Sequence, residues 1–360
     1  MIEEAAEASR VTPPSTDAFP TDDRSFLHRL KRRFVYGLIF GILVIVALGL
    51  FGDGPALLGT LARFDWRLVP LILLLTTSNY LLRFTKWHLY LRWLQVGGIR
   101  PLTSFGIFMA GLSMAITPGK VGEFLKSYLL RRATRTPVSV TAPIIVAERI
   151  TDGLAMLALA ALGLGIVHYG WQILAVLSAV AVVGIGLLQQ RTLMFRLFER
   201  LERFPRIAGR IQSLHTLYES AYLLFRPLNL VPAIGIGVVS WLGECVAFFL
   251  ILIGLGFAPS FTLMVTATFV LATATMLGAI SMLPGGLGAA EASVAGLLLL
   301  LVHDHHMTAD LAAAATLLVR FATLWFGVLL GLGALLLVER HLSRLETSRR
   351  RVVEASHPAD

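Results

Sequence analysis

Long apolar runs separated by short basic connections dominate the chain. A first run, 34–51, follows Lys31, Arg32 and Arg33, and after a short interfacial piece (57–66) a second starts near Leu68 and turns basic and aromatic after Arg83. Residues 142–167, 171–189, 229–257 and 310–338 give four more runs long enough to cross a bilayer as helices. Two further blocks are interrupted, 102–131 at Pro118 and Gly119, and 261–302 at Pro284, Gly285 and Gly286. Residues 191–226 are amphipathic and Arg-rich, the pattern of a helix lying on a membrane surface. Stretches such as 42–50 and 297–302 are apolar on every side, which suits helices in lipid and excludes the alternating strands of a membrane barrel. The pattern predicts an all-α polytopic membrane protein with about six crossings and two re-entrant, broken helical elements.

Composition sharpens this picture. With 56% of 360 residues hydrophobic against 15% charged, about 200 apolar residues allow at most roughly ten spans, which leaves no room for a soluble catalytic domain of ordinary size. Residues 1–25 read as a disordered cytoplasmic tail, 26–340 as the transmembrane domain, and 341–360 as a basic cytoplasmic tail. The net charge of +9 would suggest a nucleic-acid partner in a soluble protein, but its placement speaks for topology. Segments 1–33, 83–101, 119–136, 190–227 and 339–360 hold 27 of the 31 Lys and Arg. Loops on the other side hold Arg63 and Arg67, while Arg149 and Arg320 fall inside apolar runs. Both termini are therefore expected in the cytoplasm, in a multi-pass protein of the cytoplasmic (inner) membrane, with membrane lipids and no nucleic acid as partners. The lone Cys245 excludes an internal disulfide and a thiolate metal site.

The interrupted blocks share a P-G-x-x-G core, Pro118–Gly119–x–x–Gly122 and Pro284–Gly285–Gly286–x–Gly288, each followed by a glutamate, Glu123 or Glu291. Three crossings separate them, so the second copy is inverted. Repeat one is expected over about 34–167 and repeat two over about 171–338. Proline removes a backbone donor and glycine lets the chain turn. Backbone opened in this way cannot face hydrocarbon, so the breaks should lie against protein or a wet cavity, with half-helix N-termini offering positive ends to an anionic group.

Ionisable groups within the runs point to the same cavity. Glu148, Arg149 and Asp152 fall within about one helical turn, Glu244 lies in the middle of its span, and Arg320 needs a nearby anion. Glu291 is the preferred partner of Arg320, with Glu148 and Glu244 as alternatives, and Lys120 is spaced to pair locally with Glu123. Lys120, Arg149 and Arg320 are expected to receive a lipid phosphate. Phe84, Trp87, Tyr90 and Trp93 read as an interfacial aromatic belt, Thr266, Thr268, Thr273 and Thr275 as candidates for the groove wall, and His303, Asp304, His305, His306 and Asp310 as a polar external loop rather than a metal site. No Walker loop, GxSxG or HExxH occurs, so no cofactor, metal or catalytic role is expected.

PGKVGEFLKSYLLRR (118–132), ERITDGLAM (148–156), PGGLGAAEASVAGLL (284–298) and the late Arg320 together resemble the flippase-like family named for the lysylphosphatidylglycerol synthase transmembrane region, of the multiple peptide resistance factor type. The resemblance implies translocation of a phospholipid or lipid-linked substrate, for instance an aminoacylated phosphatidylglycerol. It carries no synthase domain here, so it implies movement without synthesis. A homo-oligomer or a lipid-synthesis enzyme is a further expected partner. The rival readings are an intramembrane transferase acting on a polyprenyl phosphate and a non-transporting accessory subunit.

Overall fold

The computed structural model describes residues 23–51, 53–117, 122–165, 171–202, 211–302 and 307–356, and no strand occurs among them. Pro118, Gly119 and Lys120, most of the N-terminal tail, and His303 to His306 lie outside the described residues. The helices are α1 (Asp23–Phe51), α2 (Gly54–Arg63), α3 (Val69–Trp93), α4 (Pro101–Leu112), α5 (Leu125–Thr134), α6 (Val138–Ala161) and α7 (Trp171–Gln189) in the first half. α8 (Arg191–Glu202), α9 (Ile211–Leu224), α10 (Pro227–Gly254), α11 (Phe261–Ile280), α12 (Ala289–Leu301), α13 (Ala309–Arg320) and α14 (Phe326–Ser356) follow. α14 carries the helix well into the basic C-terminal segment.

This is an all-α polytopic membrane fold. Among the described residues six helical segments are long and apolar enough to cross a membrane, and up to seven if the pair Leu174–Gln189 and Arg191–Arg200, bent by 71°, counts as one. Exposed Ile42, Leu74, Val180, Val231, Leu329 and Leu337 belong to the outer apolar surface that spans present to lipid. The two interrupted blocks differ in reach. α4 and α5 have 12 and 10 residues, too short to cross, whereas Phe261–Ile280 and Pro284–Leu301 each pass as spans by length and composition. α6 is long but carries Glu148, Arg149 and Asp152, and its burial against α9, α10 and α11 makes that charge tolerable.

α3 and α10, corresponding elements of the two halves, run antiparallel: the Asp65 N–H donates to Gly254 O at 3.0 Å, Thr76 meets Glu244, Asn79 meets Ser240, and Gly237 lies near the end of Lys86. α4 packs along α14, and α11 packs along α6. Thus the leading half of each interrupted block packs on a long helix of the other half of the chain.

The second break turns on a short 3-10 segment, Pro284–Gly286, in which Gly285 and Gly286 have φ of 60° and 67°. A Cβ at Gly286 would sit 3.0 Å from the Gly278 backbone. Gly286→Ala is expected to lower stability by about 1–3 kcal/mol, because left-handed strain and a backbone clash coincide. Gly296→Ala, where a Cβ meets nothing within 4 Å, is the neutral or stabilising control. Thermal unfolding of both variants in detergent checks the contrast.

Candidate functional site

The chain leading into the first break reaches the second break. A Cβ on Gly285 would lie 3.3 Å from Ile116 Cα and 3.5 Å from Ala115 O, immediately before Pro118. The first break is shaped by Thr117, whose Oγ1 donates to Met114 O at 2.7 Å and accepts from the Gly122 N–H at 2.9 Å. Beside this contact lies a cavity of about 140 Å³ whose wall includes Gly111, Ala115, Gly278, Gly285, Gly286 and Ala290.

Among the described residues its charged lining is lopsided: Arg83, Lys126, Arg149 and Arg320 face it against a single carboxylate, Glu123. The other acids stand behind these cations. Arg149 Nε is 3.2 Å from Glu123 and its Nη2 is 3.8 Å from Asp152. Asp152 also takes Arg83 at 3.5 Å and a direct contact from buried Lys86. Lys126 contacts Glu148 directly and sits 5.0 Å from the Trp87 ring centroid and 5.5 Å from that of Phe108. Arg320 donates from Nε to Glu291 at 2.5 Å and from Nη2 to Gly285 O at 2.9 Å, which ties the last span to the second break. A π-helical turn, Phe321–Trp325, follows Arg320 directly and shifts the register of the helix that joins the two breaks.

A model described as the lysylphosphatidylglycerol synthase TM region matches residues 38–331. The chain belongs to this family. Two proteins of Methanothermobacter thermautotrophicus, both named UPF0104 membrane protein, are similar to it along most of its length. One is 24% identical over 323 residues, covering 84% of this chain and 92% of its own. The other is 23% identical over 337 residues, covering 85% and 96%. Both breaks and all the charged residues of the cavity fall within the stretch matched by the lysylphosphatidylglycerol synthase TM region model.

Within this family member, the structure joins some predicted residues and separates others. Arg320 pairs with Glu291, and neither Glu148 nor Glu244 reaches it. Glu123 pairs with Arg149; the pairing expected for it involves Lys120, outside the described residues. Glu244 is buried away from the cavity, accepting from Thr76 Oγ1 at 3.2 Å. Gly288, with φ of 83°, caps α12. Thr275 lines the cavity, whereas Thr266 and Thr268 are buried elsewhere in helix packing. Asp310 heads α13 and accepts from Thr60 Oγ1 at 2.7 Å, fastening α13 to α2.

Of the four aromatics expected at the interface, Trp87 and Tyr90 are buried instead, while Phe84 and Trp93 are half-buried. Trp87 and Tyr90 are 0% exposed, Trp87 Nε1 donates to Ser104 Oγ at 3.2 Å, and Tyr90 Oη lies 3.0 Å from Thr151 Oγ1. One face of the end of α3, with Lys86, Trp87, Tyr90 and Leu91, is interior because α4, α6 and α9 cover it, while Thr85, His88 and Arg92 are exposed. Arg83, Lys86 and Lys126, counted as topology signals, are therefore site residues. Asp152, a buried acid in need of cations, was the signal that could have found the first two.

Proposed function

We propose that the protein moves a lipid with an anionic head group across the membrane through the cavity where the chain leading into the first break reaches the second. The observation that carries this reading is the four cations facing one carboxylate in a cavity within the membrane-spanning body. Counted with the acids behind them, the five cations Arg83, Lys86, Lys126, Arg149 and Arg320 meet four carboxylates, Glu123, Glu148, Asp152 and Glu291, so one positive charge is left over on the side that faces the cavity, and a phosphate that takes hydrogen bonds from several Arg and Lys donors matches it. The N-terminal turn of α12 contributes Ala290 to the same wall, adding a partial positive end to the guanidinium and ammonium groups. The acyl chains stay on the lipid side, and the two repeats open the cavity alternately to either leaflet. Movement is downhill or ion-coupled, and no covalent chemistry is assigned to the site. Both termini lie in the cytoplasm and the membrane is the cytoplasmic one, in keeping with the Lys and Arg asymmetry, which survives removal of the half-buried Arg83 and the buried Lys86 and Lys126 from the count.

The test is reconstitution of the full chain into vesicles with fluorescent phosphatidylglycerol and quenching of the outer leaflet. Transfer is expected to exceed that of protein-free vesicles and to be competed by unlabelled phosphatidylglycerol more strongly than by diacylglycerol, which lacks phosphate. Rates equal to protein-free vesicles, or equal competition by the two lipids, would overturn the reading.

A further inference from the structure

Two apolar recesses flank α1 on the lipid side of the Glu291–Arg320 pair. The first, about 340 Å³, lies between α1 and α12 and includes Ala47, Phe51, Ala292 and Gly296. The second, about 250 Å³, lies between α1 and α13 and includes Ile45, Leu317, Phe321 and Trp325. Val44 and Leu48 of α1 border both, so this edge of the helix forms the partition between them. Glu291 also borders both, and Arg320 borders the second recess and the cationic cavity alike. The polar site and the two recesses are thus joined through a single ion pair.

Glu291 itself is incompletely satisfied. The residue is 3% exposed; Oε1 accepts from Arg320, while Oε2 is buried and accepts no hydrogen bond from the described residues. A buried carboxylate oxygen without a donor is costly, and the walls around it are almost wholly apolar. Apolar recesses beside residues exposed to lipid do not hold water stably; hydrocarbon fills them. Ala47, Ala292 and Gly296 are exposed, so chains can enter from the bilayer.

We propose that these recesses seat the two acyl chains of one diacyl phospholipid, which straddles α1, with a hydroxyl or ammonium of the head region donating to Glu291 Oε2 and the phosphate at Arg320. This rests on the lipid-transport reading and deepens it, because it fixes the substrate as two-chained and assigns α1 as the partition between its chains. α1 is seated at two points, with Gly37 against Ile116 O and Gly41 against the Trp325 ring, and much of its remaining surface faces outward.

The experiment is native mass spectrometry of the full chain offered phosphatidylglycerol and its single-chain lyso form in competition. The parent is expected to retain the two-chain lipid roughly tenfold over the lyso form. Gly296→Leu, which fills the first recess where a Cβ meets nothing within 4 Å, is expected to bring the ratio close to one. Ala47→Leu, entering the same recess from exposed α1, should do the same and guards against a local folding fault in α12. Equal retention of both lipids by the parent, or an unchanged ratio in both variants, overturns the chain placement. If the vesicle assay still reports phosphate-selective transfer, only the chain placement falls; if transfer is absent too, the transport reading falls with it.

Discussion

Arg149→Gln slows phosphatidylglycerol transfer in reconstituted vesicles by roughly 10- to 100-fold, the range for losing about 1.5–3 kcal/mol of hydrogen bonding to a charged group. Arg149 is the cation best placed to touch cargo, since its side chain is 28% exposed, more than those of Arg83 or Arg320. It also pairs with Glu123, so a loss of transfer alone would not separate contact with cargo from a structural role. The double variant Glu123→Gln/Arg149→Gln separates them. Removing both partners leaves no uncompensated charge, and Asp152 keeps Lys86 and Arg83. If Arg149 serves only to neutralise Glu123, the double variant transfers like the parent. If Arg149 holds the phosphate, stability recovers and transfer stays low. Recovery of transfer would remove Arg149 from the cargo path.

The sequence discloses the breaks because the same unusual pattern occurs twice, and it discloses Glu291–Arg320 because a lone arginine in a span needs an acid within reach. Lys86 was hidden for a different reason. An apolar run that ends in Lys, Trp, Tyr and Arg looks the same whether it emerges at an interface or enters a polar core. The depth of α3 is set by non-local contacts, from Asp65 on Gly254 to Lys86 beside Gly237, which local pattern does not encode. Arg149 as a partner of Glu123 follows from a rule at the level of the two halves rather than from local spacing, which points only to Lys120. In each half, the glutamate after the break pairs with an arginine on the helix that follows, Glu123 with Arg149 and Glu291 with Arg320. Reading the second half's pair back onto the first points to Glu123–Arg149.

The Lys126–Glu148 pair gives the largest expected effect on stability. Lys126 runs from the first break into a box of Trp87 and Phe108, both fully or almost fully buried, and Glu148 receives it from α6. Glu148→Gln strands a buried ammonium there and is expected to cost about 3–5 kcal/mol, read as a clear fall in the thermal midpoint in detergent. The ring faces recover only part of this, since cation–π contacts contribute about 0.5–2 kcal/mol. Replacing both charges by apolar groups of similar volume, Lys126→Met/Glu148→Leu, removes the stranded charge, so most of the lost stability should return. Transfer should not return with it, because the cavity then has three cations where the parent has four. That divergence between stability and transport is the signature of a pair that both holds the fold and charges the site. If the two single losses simply add in the double variant, the side chains are not coupled, and if transfer recovers with stability, Lys126 is structural alone.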